Sequence, residues 1–327
     1  MTANSFPKTR FALCSSALFF LAFVASQRSS AQNEGVVVTQ VLVRAESKEN
    51  IIPAATAVTL QLNGKVTPLS SLTPVLPSGI QVALLVDDGL SRSFGIQLND
   101  LKNFANQLPQ GSEIFIGYMR NGTVEPVVQF TTDHQDAGSK VRLPLGLSGI
   151  SASPYFCLSE FVRHWPGANP GEERMQHKAR FIMMVTNGVD PYNGSTSIMN
   201  QNSPYVTSAQ VDAQRAGVSV SSIYYSGAGF RGGGSFSGQS YLGQVADATG
   251  GKLYNLGSIN PVSLTPLFQQ FVHDLSQTYI ATFMADASAG KGGKEHLIRI
   301  KLATSTPKLK LRTSENVRPG SLESSDQ

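Results

Sequence analysis

Cysteine is almost missing from this chain: two residues in 327, Cys14 and Cys157. Cys14 lies in an N-terminal segment that reads as a removable leader, so the rest carries one thiol. That excludes an intramolecular disulfide and any two-cysteine metal site, and a lone Cys of this kind reads as a small buried hydrophobe. Histidine is sparse too: His134, His164, His177, His273 and His296 are dispersed, with no i, i+4 pair to grip a metal. No G-x-S-x-G nucleophile elbow occurs; Gly146-Leu147-Ser148-Gly149-Ile150 comes nearest and ends in Ile. Charge is low at 15%, and no stretch beyond the N-terminus is long and apolar enough to cross a bilayer. The formal +4 shrinks on inspection. Lys8, Arg10 and Arg28 lie in residues 1–31, which hold no acid, so the remainder has 23 basic against 22 acidic residues. A nearly neutral body argues against nucleic acid as the main partner.

What is present begins with a secretory pattern. Lys8 and Arg10 precede the apolar run Phe11–Ser26, and Ser29-Ser30-Ala31 supplies small residues for cleavage before Gln32. Residues 1–31 are therefore expected to be a signal peptide. The alternative is an uncleaved anchor, for which the run is short of the about 20 residues a spanning helix needs.

The remaining chain, within an overall hydrophobic content of 41%, has enough apolar residues for a packed core. Residues 32–80 read as β segments and a connector: VVVTQVLVR at 36–44, a second run at 57–62, Asn63-Gly64 as a hairpin turn, and a Ser/Pro-rich connector over 69–78. Residues 81–284 alternate strand and helix, with one expected hairpin turning at Asn121-Gly122. Residues 285–317 read as a two-strand hairpin of HLIRIKL and KLKLR with one wet face, joining the N-terminal strands in a small sheet. Residues 318–327 are expected to be a disordered tail.

The chain is organised around QVALLVDDGLSRS, residues 81–93. Here the apolar run Val82–Val86 stops at Asp87-Asp88, and a small polar loop and a helix follow. That order presents a site at the carboxyl end of a strand in an open α/β sheet. Several stretches in the same order carry a family likeness: VALLVDD, SPYFCL at 153–158, RFIMMVTNGVD at 180–190, AQRAGVSVSSIYYSG and YLGQVADATGGKLYNL. Together they resemble the von Willebrand factor type A fold, more narrowly secreted bacterial proteins carrying a type A-related domain between short β segments. The resemblance implies a doubly wound, mostly parallel sheet with helices on both faces, Rossmann-like, plus small flanking β segments.

It also implies a metal-ion-dependent adhesion site with a changed ligand set. The family pattern is Asp-x-Ser-x-Ser, then a Thr and an Asp on two further loops. Here these positions read Asp87, Gly89, Ser91, Ser153 and Asn187. Asp87, Ser91 and Ser153 are the candidate ligands for Mg²⁺ or Ca²⁺, with Asn187 a neutral outer partner. Fewer anionic oxygens weaken such a site; Asp88 and Asp190 supply charge off the motif positions. In the bland alternative these residues cap helices and tie loops.

Gly227–Gly232 fits G-x-G-x-x-G, but more Gly and Ser follow instead of an opening helix, so it reads as a loop. Asn121-Gly122-Thr123 and Asn193-Gly194-Ser195 read as turns. An acid/base pair of Asp87 and Asp88 is disfavoured, because consecutive side chains on a strand diverge. The expectation is a non-enzymatic secreted or envelope protein. It would bind a protein or surface polymer through the loops at 87–93, 148–153 and 187–203, with 226–238 nearby. The alternative is an envelope assembly component whose β segments make the contacts.

Overall fold

The computed structural model describes residues 35–146, 153–167, 178–189, 204–226, 236–256, 260–287 and 296–320. The expected signal peptide, the glycine loop 227–232 and Asp190 lie outside them. Four strands come first: β1 (Val36–Glu46), β2 (Val58–Leu62), β3 (Lys65–Thr67) and β4 (Leu69–Pro74). Asn63 and Gly64 sit between β2 and β3 at φ 47° and 81°, the left-handed geometry of a two-residue hairpin turn.

Strand and helix then alternate: β5 (Ile80–Asp87), α1 (Leu98–Gln107), β6 (Glu113–Arg120), β7 (Thr123–Thr131), α2 (His134–Ser139), α3 (Pro154–Arg163), β8 (Ala179–Thr186), α4 (Pro204–Arg215), β9 (Val218–Tyr224), α5 (Phe236–Thr249), β10 (Leu253–Tyr254) and α6 (Thr265–Ser276). The strands form one six-stranded sheet in the order β10-β9-β8-β5-β6-β7, parallel except for β7. The β6–β7 turn is Asn121-Gly122, at φ 50° and 82°. Val82, Leu84 and Val86 of β5 pack on one face with Phe104 of α1 and Phe268 of α6. Ala83 and Leu85 pack on the other with Leu158 of α3, Ala209 of α4 and Leu242 of α5. Burial on both faces is why β5 and β8 are continuous apolar runs and not alternating ones. The expected doubly wound, mostly parallel sheet is present.

The flanking β segments are larger than expected. β11 (Thr278–Asp286), β12 (Ile298–Thr304), β13 (Lys310–Thr313) and β14 (Asn316–Val317) complete two four-stranded sheets, β13-β1-β11-β4 and β14-β12-β2-β3. Their apolar faces share a core that includes Val43, Phe283, Leu60 and Ile300.

Three sequence expectations change here. First, the sequence places residues 279–284 in the α/β domain, but β11 pairs with β1 and β4, so the boundary at 284 falls inside a strand. Its pattern explains this: Tyr279, Ala281, Phe283 and Ala285 are buried and Met284 and Asp286 are exposed, the alternation of a one-sided antiparallel strand. Second, HLIRIKL and KLKLR do not pair as a hairpin, since β12 joins β2 while β13 joins β1. Third, the connector over 69–78 contains β4, an edge strand paired with β11. Of the expected tail, Arg318–Gly320 is described, and Gly320 N donates to Thr39 Oγ1 at 3.0 Å.

The two parts meet at Arg44 of β1. Its guanidinium donates to Glu46 Oε1 at 2.9 Å and to the carbonyl of Gly251 at 3.2 Å, with Asp274 of α6 at 3.9 Å. Among the described residues no helix is long and apolar enough to cross a membrane.

Candidate functional site

β5 lies between β6 and β8, and the chain winds to β6 on one side before crossing to β8 on the other. The carboxyl end of β5 is thus the switch point of the sheet, where open α/β folds form a crevice. Asp87 ends the strand and is buried. Its Oδ1 accepts from Gly89 N at 2.8 Å, and its Oδ2 accepts from Thr186 Oγ1, the last residue of β8, at 2.7 Å. Burial pushes its carboxyl up to about 6 against the opposing pull of Thr186 and Gly89, and the charge of Asp88 adds to the rise. The loop that follows is pinned from below by Leu90 and by Phe94, which packs edge-on against Tyr225 with ring centroids 4.9 Å apart.

Ser91 precedes a 3-10 turn, Arg92–Gln97, and its Oγ lies 2.6 Å from Ser93 Oγ in an exposed pair. Ser153 is the residue before α3, in left-handed backbone at φ 54°, and its carbonyl accepts from Cys157 N. Asn187 is buried, and its Oδ1 accepts from Val189 N at 3.0 Å, closing its own loop. Gly188 beside it has φ +64°, and a Cβ there would stand 2.5 Å from the carbonyl oxygen of Gly238 on α5.

Asp88 faces another way. Its Oδ1 accepts from Arg142 Nη1 at 2.7 Å and from Leu145 N at 2.9 Å, and its backbone carbonyl accepts from Gly146 N at 2.9 Å. Arg142 lies over the ring of Tyr118, 3.7 Å from its centroid. The Tyr118 hydroxyl donates to the Arg142 carbonyl and accepts from Arg142 N. Asp88 therefore clamps the segment leading from α2 towards α3.

This donor set does not fit a divalent cation. Both oxygens of Asp87 accept protein hydrogen bonds, the Asn187 oxygen is turned to its own loop, and Ser91 pairs with Ser93. Asp88 Oδ2 is buried without a hydrogen-bond partner among the described residues, yet a single such oxygen beside a guanidinium is no cage for an ion that takes six or more oxygens. Among the described residues no three His, Cys, Asp or Glu side chains converge. Of the sequence candidates, the described contacts tie Asp87 to Thr186 but to neither Ser91 nor Ser153. Thr186 was visible in RFIMMVTNGVD as the end of a strand but carried no role. The Asp88–Arg142 clamp had no sequence signal.

One further feature belongs to this edge. Large apolar side chains stand exposed along it: Ile96 (71%) and Leu145 (69%), with Leu143, Phe156 and Val262. Leu143 reaches to within 3.2 Å of where a Cβ on Gly95 would stand. Phe156 covers Gly122 at the β6–β7 turn and meets the Tyr205 ring edge-on.

The chain is similar to von Willebrand factor type A structures. A von Willebrand factor type A protein from Catenulispora acidiphila aligns over 90% of this chain and 76% of its own, at 10% identity and TM-score 0.42. An aerotolerance-related membrane protein from Bacteroides fragilis aligns over 60% of this chain and 98% of its own, at 13% identity and TM-score 0.40. The SpRpn10 VWA domain aligns over 58% and 94%, at 10% identity and TM-score 0.40. No family model and no curated protein matches the chain. The type A-like reading of the fold stands on the sheet order and register described above.

Proposed function

We propose that this chain is an exported, non-enzymatic protein-interaction module that takes its partner at the carboxyl edge of the six-stranded sheet without a divalent ion. The observation that carries the reading is the group of exposed apolar side chains at that edge, Ile96, Leu143, Leu145, Phe156 and Val262. Grouped exposed apolar residues are characteristic of interaction surfaces. Asp87 and Asp88 support the non-enzymatic part, since each is engaged in structural hydrogen bonds, Asp87 with Gly89 and Thr186 and Asp88 with Arg142 and Leu145. Lys8, Arg10 and the apolar run after them support export.

A photo-crosslinking residue placed at 145 or 156 in producing cells tests the site. Adducts with another envelope or secreted protein are expected there and not at the control position 66. Calorimetric titration with Mg²⁺ and Ca²⁺ tests the ion: no saturable binding is expected, and micromolar binding abolished by Asp87→Ala would overturn that part. The amino terminus of exported protein should be Gln32. A second reading, assembly through the β segments, is favoured by β4, an edge strand with no charged residue. Crosslinks at position 70 in place of 145 would select it.

A further inference from the structure

Among the described residues, Arg142 has donors left over. Its Nη1 donates to Asp88 Oδ1 at 2.7 Å and to the Leu143 carbonyl at 2.9 Å, and the ring of Tyr118 supports the guanidinium plane from one side. Its Nε and Nη2 make no hydrogen bond among the described residues. A second acid, Glu125, has Oε2 4.0 Å from Nη2, and its side chain is half exposed. A contact at that length in solvent is weak. Among the described residues, what remains is a guanidinium already oriented by its neighbours, with its Nε/Nη2 fork open and its side chain 26% exposed. That fork matches a carboxylate with two parallel hydrogen bonds. Because the plane is held in advance, little rotamer freedom is lost when a ligand arrives.

The surroundings specify the rest. Arg92 and Arg120 are exposed cations of the same loops, against Glu125 as the exposed acid that both Arg120 and Arg142 approach. The apolar rim continues on both sides of Arg142, towards Gly95 through Leu143 and towards the β6–β7 turn under Phe156. A bound chain therefore has apolar surface to cover before and after the charged point.

Building on the proposed edge, we infer that Arg142 binds a side-chain carboxylate of the partner, an Asp or Glu set among large apolar residues in an extended protein segment. The test is selection of a displayed random 12-residue peptide library on the full-length protein. Synthetic amidated versions of the enriched peptides are then titrated. Enriched peptides should carry Asp or Glu beside Leu, Ile or Phe. Arg142→Gln should weaken their binding about tenfold or more, the scale of a lost charge-assisted pair. Arg142→Lys should weaken it severalfold, because Lys keeps the charge and the Asp88 contact but not the fork. Glu125→Gln should tighten it, an effect that a purely structural role for Arg142 does not produce. Thermal unfolding of each variant shows whether it is folded; if Arg142→Gln is not, the Lys and Glu125 variants decide. Enriched peptides without acids, no enriched peptides, binding lost on amidation, or affinity unchanged in a folded Arg142 variant would overturn the inference. Where such peptides still lose affinity in Leu145→Ser, the edge remains the binding face and only the carboxylate assignment falls. Where Leu145→Ser also has no effect, the edge reading falls with it.

Discussion

Asp87 and Asp88 are neighbours in the chain and opposites in environment. Asp87 points into the sheet end, where its two acceptors meet Gly89 and Thr186. Asp88 points to Arg142. The raised Asp87 value of about 6 has a direct consequence for stability. The folded state holds the proton more tightly than the unfolded chain, whose carboxyl titrates near 3.8. The unfolded chain therefore binds fewer protons between about pH 4 and 6, and stability falls as pH rises through that window. The shift corresponds to an order of magnitude of about 3 kcal/mol. In chelator, urea unfolding from pH 4 to 6.5 should show the wild type losing stability relative to Asp87→Asn, a comparison in which the opposite contributions of Glu46, Asp100 and Glu113, whose carboxyls are held low, cancel. Parallel profiles would contradict the assignment.

Cys157 belongs to the same scale. Burial, with the charge of Asp87, pushes its thiol up to about 12, and its Sγ donates to the Thr123 carbonyl at 3.1 Å. With Cys14 replaced by serine, a disulfide-exchange reagent at pH 8 should leave Cys157 unlabelled until denaturant is added. Rapid native labelling would show that α3 opens.

Among the elements, the docking of α5 on the end of β8 is the most demanding contact near the site. Gly188 adopts positive φ, and its backbone meets that of Gly238. The Tyr155 hydroxyl donates to the Gly188 carbonyl at 2.8 Å, tying α3 to the same turn. Gly188→Ala adds both left-handed strain and a clash with backbone, so a loss of about 2–4 kcal/mol is expected from urea unfolding. A loss below about 1 kcal/mol would mean the turn relaxes freely. The edge strand β4 owes its identity to its partner. Ser70, Ser71 and Thr73 resemble a loop, and only the pairing with β11 makes them a strand.

At the scale of the molecule, the amino- and carboxyl-terminal strands interleave. β1 pairs with β11 and β13, and β12 pairs with β2 and β14. Deleting 295–317 removes one strand from the first sheet and two from the second, exposing the core around Phe283 and Leu60. The truncated chain should lose cooperative unfolding and aggregate; an unchanged melt would show that the α/β part stands alone. The joint between the two parts includes a polar cluster, with the buried Arg44 against Glu46, Gly251 and Asp274, beside the apolar contact of Leu42 with Leu275 and Phe271. Arg44→Ala takes the side-chain donor from the Gly251 carbonyl, while Glu46 keeps Arg312 and Asp274 keeps Tyr254, and a loss of about 2 kcal/mol is expected by urea unfolding.

Local physics in the sequence was enough for most element identities. Apolar runs with helical or continuous spacing marked the strands and helices around β5, and Asn-Gly pairs marked both tight turns, because these signals depend on neighbours a few residues apart. It was also enough to point to the carboxyl end of β5, since an apolar run stopping at acids needs no partner to be seen. The partners of those acids were decided only in three dimensions. Thr186 lies 99 positions from Asp87, and Arg142 lies 54 from Asp88. No short-range pattern encodes which donor a carboxylate meets across a sheet, so a motif that reads as a cation site folds into two hydrogen-bonded loop ties. The same holds for β11, whose alternation is written in the chain but whose sheet is chosen by which strands have an edge left to pair.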